Sequence, residues 1–175
     1  MSAELDTIKS MIRDIPDFPK PGIIFKDITP LLADGVQFQN CISLLSKKVK
    51  ASGANKIAGL DARGFIFGAA VAHELGLGFI PIRKKGKLPS ETISVSYDLE
   101  YGSNTVEMHV DAVEQGEKVI IIDDLLATGG TASAAQQLLS QAGAELVGLL
   151  VVIELTFLDG REKLDGISVD TLITY

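Results

Sequence analysis

Residues 119–131 read Val-Ile-Ile-Ile-Asp-Asp-Leu-Leu-Ala-Thr-Gly-Gly-Thr, and this stretch decides the fold. The β-branched run at 119–122 has the length and composition of a strand buried on both faces, as in a parallel sheet. Two adjacent acids follow at 123–124, then a short turn with two glycines at 129–130, and a helix is predicted from Thr131. Glycines let the backbone approach a ligand closely, and the first amides of a helix point out of its start, so the turn is suited to phosphate.

The two acids distinguish this turn from the common nucleotide-binding loops. No lysine follows the glycines, and the spacing does not match the dinucleotide fingerprint. Carboxylates accept hydrogen bonds from hydroxyl groups and repel phosphate. The pattern therefore suits a ligand with phosphate at one end and vicinal hydroxyls in its middle, such as ribose 5-phosphate. An ordinary strand–turn–helix would explain the glycines and the helix start, but not two acids at the end of a buried strand.

The same stretch resembles the 5-phosphoribosyl-1-pyrophosphate (PRPP) motif of type I phosphoribosyltransferases. The resemblance implies that Asp123 and Asp124 bind the 2- and 3-hydroxyls of the ribose. It also implies that the 5-phosphate is held by Ala127, Thr128, Gly129, Gly130 and Thr131.

Composition places the chain among ordinary soluble proteins of one domain. It has 175 residues, 46% hydrophobic and 22% charged, and a domain of this size buries roughly 70% of its unfolded surface. The net charge of −7 argues against a general binder of nucleic acid or anionic membranes. Cys41 is the single cysteine, which excludes an internal disulfide, and the apolar run at 147–153 is too short to span a bilayer. We therefore expect a cytoplasmic protein.

Periodicity along the chain predicts alternating strands and helices. Apolar residues at helical spacing predict an N-terminal helix around Ile8 and a longer one at 36–52. Further helices are predicted at 66–75 and from Thr131. Buried strands are predicted at 57–60, 79–82, 119–122 and 146–154, a polar turn or short helix at 158–164, and a final, edge strand at 167–174.

Residues 17–30 contain three prolines and a glycine, which predict an extended, turning segment. Phe25 in this segment is either a core side chain or a face on which a flat heterocycle stacks. The segment resembles the base-binding hood of the adenine-specific branch of the family. The resemblance implies that Ile24, Phe25 and Lys26 surround adenine.

A second strand–turn–helix reads Asp-Ala-Arg-Gly-Phe at 61–65. An arginine at a helix N-terminus is electrostatically unfavourable unless an anion joins it, since that end of the helix is partly positive. The alternative is a surface arginine paired with Asp61. The family resemblance implies that this turn, with Arg63 and Gly64, holds the pyrophosphate, and that the Asp61–Ala62 peptide bond is cis.

Four cations occupy five positions after the strand at 79–82, and a basic run of this kind is commonly a solvated face. They are Arg83, Lys84, Lys85 and Lys87. At the carboxyl end of a strand in an open α/β sheet, however, cations can neutralise a polyanion such as a pyrophosphate leaving group. We expect Arg83, Lys84 and Lys87 to contact the pyrophosphate and Lys85 to be solvated.

From Thr92 the apolar residues alternate, which predicts a β-hairpin over residues 90–110 with little apolar surface, able to move as a lid. Glu100 near its tip is by default a solvated loop acid. Leu-Glu-Tyr-Gly at 99–102 nevertheless resembles the adenine-specific branch, where this glutamate transfers a proton. The resemblance also implies that Tyr101 contacts the substrate at its pyrophosphate end.

These observations predict one α/β domain over residues 1–175, a doubly wound, mainly parallel sheet with helices on both faces. Residues 1–35 would form mainly the hood, and 90–110 the lid. The family resemblance implies transfer of the 5-phosphoribosyl group of PRPP to adenine, giving AMP and pyrophosphate. It also implies a homodimer and Mg²⁺ carried by PRPP without direct protein ligands. The alternatives are a transferase for another base, such as hypoxanthine or xanthine, and a non-catalytic regulator that senses PRPP.

Overall fold

Strands and helices alternate through the computed structural model, which describes residues 3–98 and 103–175. The helices are α1 Ala3–Ser10, α2 Thr29–Ala33, α3 Gly35–Ser52, α4 Gly64–Leu75 and α5 Gly130–Gln141. The strands are β1 Arg13–Pro16, β2 Ile24–Asp27, β3 Lys56–Leu60, β4 Gly78–Lys84, β5 Thr92–Asp98, β6 Ser103–His109, β7 Lys118–Leu126, β8 Glu145–Glu154 and β9 Val169–Thr174. Two short 3-10 turns, Thr156–Leu158 and Gly160–Lys163, separate the last two strands.

The chain divides into two compact units, Met1–Leu44 and Leu45–Tyr175. In the first unit, β1 and β2 form an antiparallel pair in which Asp14 lies opposite Lys26. The amphipathic helix predicted at the N-terminus is confirmed as α1, whose Ile8 is fully buried. The segment after β1 is extended and turning, as predicted, and contains a cis Phe18–Pro19 bond.

The second unit is built on a seven-stranded sheet with the order β5-β6-β4-β3-β7-β8-β9. Five neighbouring strands of this sheet are parallel: β4, β3, β7, β8 and β9. The other two, β6 and β5, form an antiparallel hairpin beside β4. The mainly parallel sheet and the edge position of the last strand, β9, are confirmed. Because parallel strands point the same way, the turns after β3, β4 and β7 all lie at one edge of the sheet.

Alternate residues of the central strands face opposite layers. On one face Leu60, Ile121 and Val151 join a core with the apolar side of α5, including Leu138. On the other face α4 approaches the sheet so closely that a Cβ on Gly68 would lie 2.9 Å from the Phe79 ring of β4 and 3.6 Å from the Gly59 Cα of β3. The prediction of helices on both faces is therefore confirmed.

Two expectations need correction. The central strand does not stop before the acids: β7 continues to Leu126, because β8 pairs with it as far as Leu126 opposite Glu154. The hairpin is not poor in apolar surface, since Val106 is 4% and Met108 0% exposed and both belong to the core beside β4. The strand periodicity predicted the two strands of the hairpin, but it did not predict that they pair with the main sheet.

Across the described residues, no helix has the length and apolar character needed to cross a bilayer.

Candidate active site

The acid pair lies in the C-terminal half of β7, towards the carboxyl edge of the sheet. Asp124 is buried, at 4% exposure, and Asp123 is half-buried. The Asp124 amide donates a hydrogen bond of 2.9 Å to Asp123 Oδ1, which holds the Asp123 carboxylate against the backbone of the next residue. In a regular strand, by contrast, two consecutive side chains point to opposite faces of the sheet.

The second strand–turn–helix lies directly against these acids. Arg63 Nε is 2.9 Å from Asp124 Oδ2, and a Cβ on Gly64 would be 2.7 Å from Asp123 Oδ1. Glycine at 64 therefore lets the start of α4 approach the acid pair. The structure thus pairs Arg63 with Asp124, and it pairs Asp61 with Arg83 at 3.2 Å. The predicted cis bond at Asp61–Ala62 is confirmed.

Burial makes both acids weaker than usual. The pKa of Asp123 is raised well above its ordinary value by burial and by the neighbouring charge of Asp124. The pKa of Asp124 is also raised by burial, although the guanidinium of Arg63 opposes the shift. Asp124 Oδ2 accepts no hydrogen bond from the described residues, and Arg63 meets it as an ion pair without hydrogen-bond alignment. The site thus holds a buried acceptor that a hydroxyl donor would satisfy.

The basic run continues β4 and then turns away from it. Arg83 and Lys84 are the last residues of the strand. The Arg83 guanidinium reaches the Asp61 carboxylate and also donates to the Lys87 carbonyl at 3.2 Å, so it closes the run into a loop. The Gly86 amide donates to the buried carboxylate of Glu107 at 2.8 Å, which fixes the loop against β6. The side chains of Lys84, Lys85 and Lys87 are exposed, as expected for Lys85.

A cavity of about 210 Å³ lies between this basic strand end and the start of α5. Its lining includes Asp61, Lys84 and Thr131, together with Tyr97 and Asn104 of the hairpin. Candidate residues for the two phosphate ends of one ligand therefore meet around a single space.

The glycine turn before α5 has one of its two glycines, Gly129, in the left-handed conformation. Gly129 has a φ of +77°, and α5 begins at Gly130, one residue before the predicted start. The amides of the first helical turn are directed out of this end, which favours an anion. Thr131 Oγ1 shares a hydrogen bond of 2.9 Å with the hydroxyl of Tyr97.

The residues expected to bind the base lie apart in the chain, on β2 of the first unit. Phe25 is half-buried rather than a core side chain, and its ring meets that of Phe18 edge-on, with centroids 5.3 Å apart. The Lys26 ammonium lies 2.6 Å from the Asp14 carboxylate across the β1–β2 pair. Ile24 is 55% exposed. Glu100 and Tyr101 lie outside the described residues.

Sequence reasoning missed several residues at this edge. Tyr97, Asn104 and Glu107 lie within the hairpin predicted over residues 90–110, and the sequence pattern assigned them no role in the site. The alternation of Val106 and Met108 gave no signal for Glu107, because its burial depends on the pairing of β6 with β4. Gly160 was treated as part of a polar turn, although it packs against the glycine turn before α5.

The acid pair also bears on a metal ion. Among the described residues no three His, Cys, Asp or Glu side chains come together as a metal-binding group. Two adjacent carboxylates with no further ligand among the described residues fit a Mg²⁺ ion that takes its ligands from a phosphorylated substrate and water and meets the acids only indirectly.

Comparison with known proteins agrees with this architecture. Residues 31–170 match the family model of the phosphoribosyl transferase domain. The adenine phosphoribosyltransferase of Solidesulfovibrio magneticus is 56% identical over 166 residues, covering 95% of this chain and 97% of that protein.

Solved structures give the same result. The adenine phosphoribosyltransferase of Thermoanaerobacter pseudethanolicus has a TM-score of 0.95 and 52% identity, covering 98% of this chain and 99% of that one. The Saccharomyces cerevisiae enzyme, crystallised with an imino-altritol bisphosphate and adenine, has a TM-score of 0.92 and 39% identity over 98% of this chain and 99% of that one.

The fold, the acid pair and the glycine turn define the class of protein, the phosphoribosyltransferases of type I fold. Within that class, the chain shares more than half of its residues with adenine phosphoribosyltransferases over nearly its whole length. The chain therefore belongs to the adenine phosphoribosyltransferase family.

Proposed function

We propose that this enzyme transfers the 5-phosphoribosyl group of PRPP to adenine, giving AMP and pyrophosphate, a reaction of purine salvage. The observation that carries the proposal is the position of the acid pair on β7, between the glycine turn before α5 and the arginine turn before α4. A doubly phosphorylated sugar needs hydroxyl acceptors in its middle and cationic or amide donors at both ends.

The ribose and its 5-phosphate would occupy the β7–α5 side of the site. Asp123 and Asp124 would accept hydrogen bonds from the 2- and 3-hydroxyls. The amides and side chains of residues 127–131 would hold the 5-phosphate. Support comes from the buried, unsatisfied Oδ2 of Asp124 and from the conformation of the glycine turn.

The pyrophosphate would occupy the side of the site at β3 and β4. We assign Arg63, Gly64, Arg83, Lys84, Lys87 and Tyr101 to it. In the ligand-free arrangement Arg63 is engaged by Asp124 and Arg83 by Asp61. Binding of PRPP would therefore redirect two guanidinium groups from carboxylates to phosphate oxygens, a bidentate interaction that arginine makes well.

Adenine would be bound by the hood, mainly residues 1–35, with Ile24, Phe25 and Lys26 around the ring. We further propose that hood, lid and sheet operate as one domain over residues 1–175, with the hairpin at 90–110 closing over the substrates. The half-buried Phe25 ring supports a stacking role.

The chemical step breaks the bond between C1 of the ribose and the pyrophosphate oxygen, and pyrophosphate leaves with the bonding electrons. N9 of adenine forms the new bond to C1, and its proton passes to the carboxylate of Glu100. Positive charge that develops on the ribose is balanced by the carboxylates of Asp123 and Asp124. The basic residues assigned to the pyrophosphate stabilise it as the leaving group. Mg²⁺ bound with PRPP would supply further neutralisation of the pyrophosphate charge.

Glu100→Ala should lower kcat at least about 100-fold, because general acid–base catalysis contributes that much, and should leave the Kd for PRPP nearly unchanged. Rapid-quench kinetics with labelled adenine would measure the first quantity and calorimetry the second. Asp98→Ala, on the same hairpin, is the matched control. Equal losses in kcat and PRPP affinity would assign Glu100 a positioning role.

We also propose that the enzyme acts in the cytoplasm as a homodimer, as the family resemblance implies. Sedimentation of the purified chain tests the oligomeric state directly.

The function itself is tested by pyrophosphate release from PRPP with adenine, hypoxanthine or guanine. We expect adenine to give the highest initial rate and no release without a base. A faster rate with another base would identify a different transferase. Binding of PRPP without release of pyrophosphate in the presence of any of the bases would identify a regulator.

A further inference from the structure

The glycine turn before α5 packs against a second turn, residues 159–163, called here the supporting turn. A Cβ built on Gly160 would lie 2.2 Å from the Ala127 carbonyl oxygen and 3.1 Å from the Gly129 nitrogen. A Cβ built on Gly129 would in return lie 2.2 Å from the Gly160 carbonyl oxygen. The two backbones are thus in contact, with no space for a side chain between them.

Backbone conformation does not explain the glycine at 160. Gly129 has a positive φ and would be strained with any side chain, whereas Gly160 is not among the residues with positive φ. An alanine at 160 would therefore have an acceptable backbone. Contact with the phosphate loop is what requires glycine there.

The supporting turn is fixed to the ends of two strands by Arg161. Its guanidinium binds both carboxylate oxygens of Glu154, with Nη2 2.6 Å from Oε2, and Nη1 donates to the Val169 carbonyl at 2.7 Å. Glu154 is 4% exposed and is the last residue of β8. A planar guanidinium that makes several directed bonds holds its neighbour in one orientation.

The same strand end is joined to the strand that leads into the phosphate loop. Glu154 pairs in register with Leu126, and the Leu155 amide donates to the Leu126 carbonyl at 3.0 Å. Leu126 is followed directly by the loop residue Ala127. The supporting turn is held by β8 and β9, and the loop follows β7, so the two are joined through β8, which pairs with β7.

We propose that Glu154, Gly160 and Arg161 are positioning residues for the loop that takes the 5-phosphate. This inference rests on the proposed function, because it assigns a ligand to the loop. A loop with two consecutive glycines has many accessible conformations. Contact with the supporting turn restricts the conformations of the loop. The loop amides are therefore already directed at the phosphate before the substrate arrives, and binding requires less ordering of the loop.

Gly160→Ala tests the proposal, because the added methyl group must displace the loop from its support. We expect the Kd for ribose 5-phosphate to rise about tenfold or more, since displacements near 1 Å at a binding site have effects of this size. The Kd for inorganic pyrophosphate should change less than about twofold, because that ligand is assigned to other turns. Calorimetry measures both constants.

Glu162→Gln is the matched control, since Glu162 is exposed and lies in the same turn. Neither dissociation constant should change in this variant. Arg161→Lys is the second test, because one ammonium group cannot span the Glu154 carboxylate and the Val169 carbonyl together. It should show the same selective loss of ribose 5-phosphate affinity, and it decides the matter alone if Gly160→Ala does not fold.

Two results would overturn the proposal: unchanged affinity of folded Gly160→Ala for ribose 5-phosphate, or equal losses for ribose 5-phosphate and pyrophosphate. The unsubstituted enzyme is assayed in parallel for adenine-dependent pyrophosphate release. Failure of that assay counts against the proposed function, whereas the binding constants of the variants decide the role of the supporting turn.

Discussion

The acid pair Asp123 and Asp124 opposes folding when no ligand is present. A carboxyl group whose pKa is raised in the folded state holds a proton that the unfolded chain has already released. Stability therefore falls as the pH rises from the ordinary value of about 3.8 towards the raised one. The cost persists at neutral pH, where a bound ligand would offset it.

Asp123→Asn should accordingly stabilise the ligand-free enzyme at neutral pH, by on the order of 1 kcal/mol, since each unit of pKa shift corresponds to about 1.4 kcal/mol. The gain should shrink as the pH approaches 4, where the acid is protonated in both states. Chemical unfolding at several pH values measures this, with PRPP affinity as the companion measurement. Affinity should fall, because the amide can donate where only an acceptor fits.

Asp165→Asn is a suitable control because Asp165 is exposed. This substitution should change neither stability nor affinity. A loss of stability in Asp123→Asn at neutral pH would contradict the electrostatic account of the acid pair.

At the scale of elements, the hairpin is tied to both walls of the site. β6 pairs with β4 at the basic strand end, where Arg83 lies opposite Glu107. β5 reaches α5 through the Tyr97–Thr131 hydrogen bond, and the Tyr97 ring lies 3.3 Å from a Cβ built on Gly130. Any movement of these strands would therefore alter contacts at both phosphate positions.

Tyr97→Phe removes this hydrogen bond while keeping the ring, and should lower the free energy of unfolding by about 1 kcal/mol. Combining it with Thr131→Val in a double-mutant cycle should give a coupling energy of roughly 0.5–1.5 kcal/mol. Urea unfolding of the four proteins provides the measurement. Ser96→Ala, which breaks an exposed hydrogen bond to Thr105 on the same hairpin, should cost less than about 0.5 kcal/mol. Additive effects at 97 and 131 would mean that the bond does not couple the hairpin to α5.

At the scale of the whole molecule, the single thiol reports on opening of the first unit. Cys41 is 0% exposed, and burial raises the pKa of its thiol to about 12. The reactive thiolate is therefore scarce in the folded state at any pH below that value, whereas an unfolded cysteine ionises near pH 8.5.

Labelling of Cys41 by a disulfide reagent at pH 8 should be at least about 100-fold slower in buffer than in concentrated urea, because an opening step must come first. Absorbance of the released thiolate follows the reaction. The Cys41→Ser variant sets the background, since the chain has no other cysteine. Similar rates in buffer and in urea would mean that the thiol is accessible in the native enzyme.

The parts of the fold and site that the sequence predicted are those encoded locally. A β-branched run, two acids and two glycines are adjacent in the chain, so periodicity and turn chemistry identified β7, the glycine turn and α5 without knowledge of the rest. The succession of strands and helices along the chain followed from the same local signals, and the identity of the base from resemblance at three further motifs.

Tertiary structure alone decided which distant residues meet. It pairs Arg63 with Asp124 and Arg83 with Asp61, buries Glu107 under the basic loop, and places Gly160 against Ala127. Such contacts depend on the order and register of strands that are separated by many residues in the chain. They cannot be predicted from the residues adjacent to each side chain in the sequence. The local sequence thus specifies each strand–turn–helix of the candidate site by itself, and only the folded sheet brings the turns to one edge.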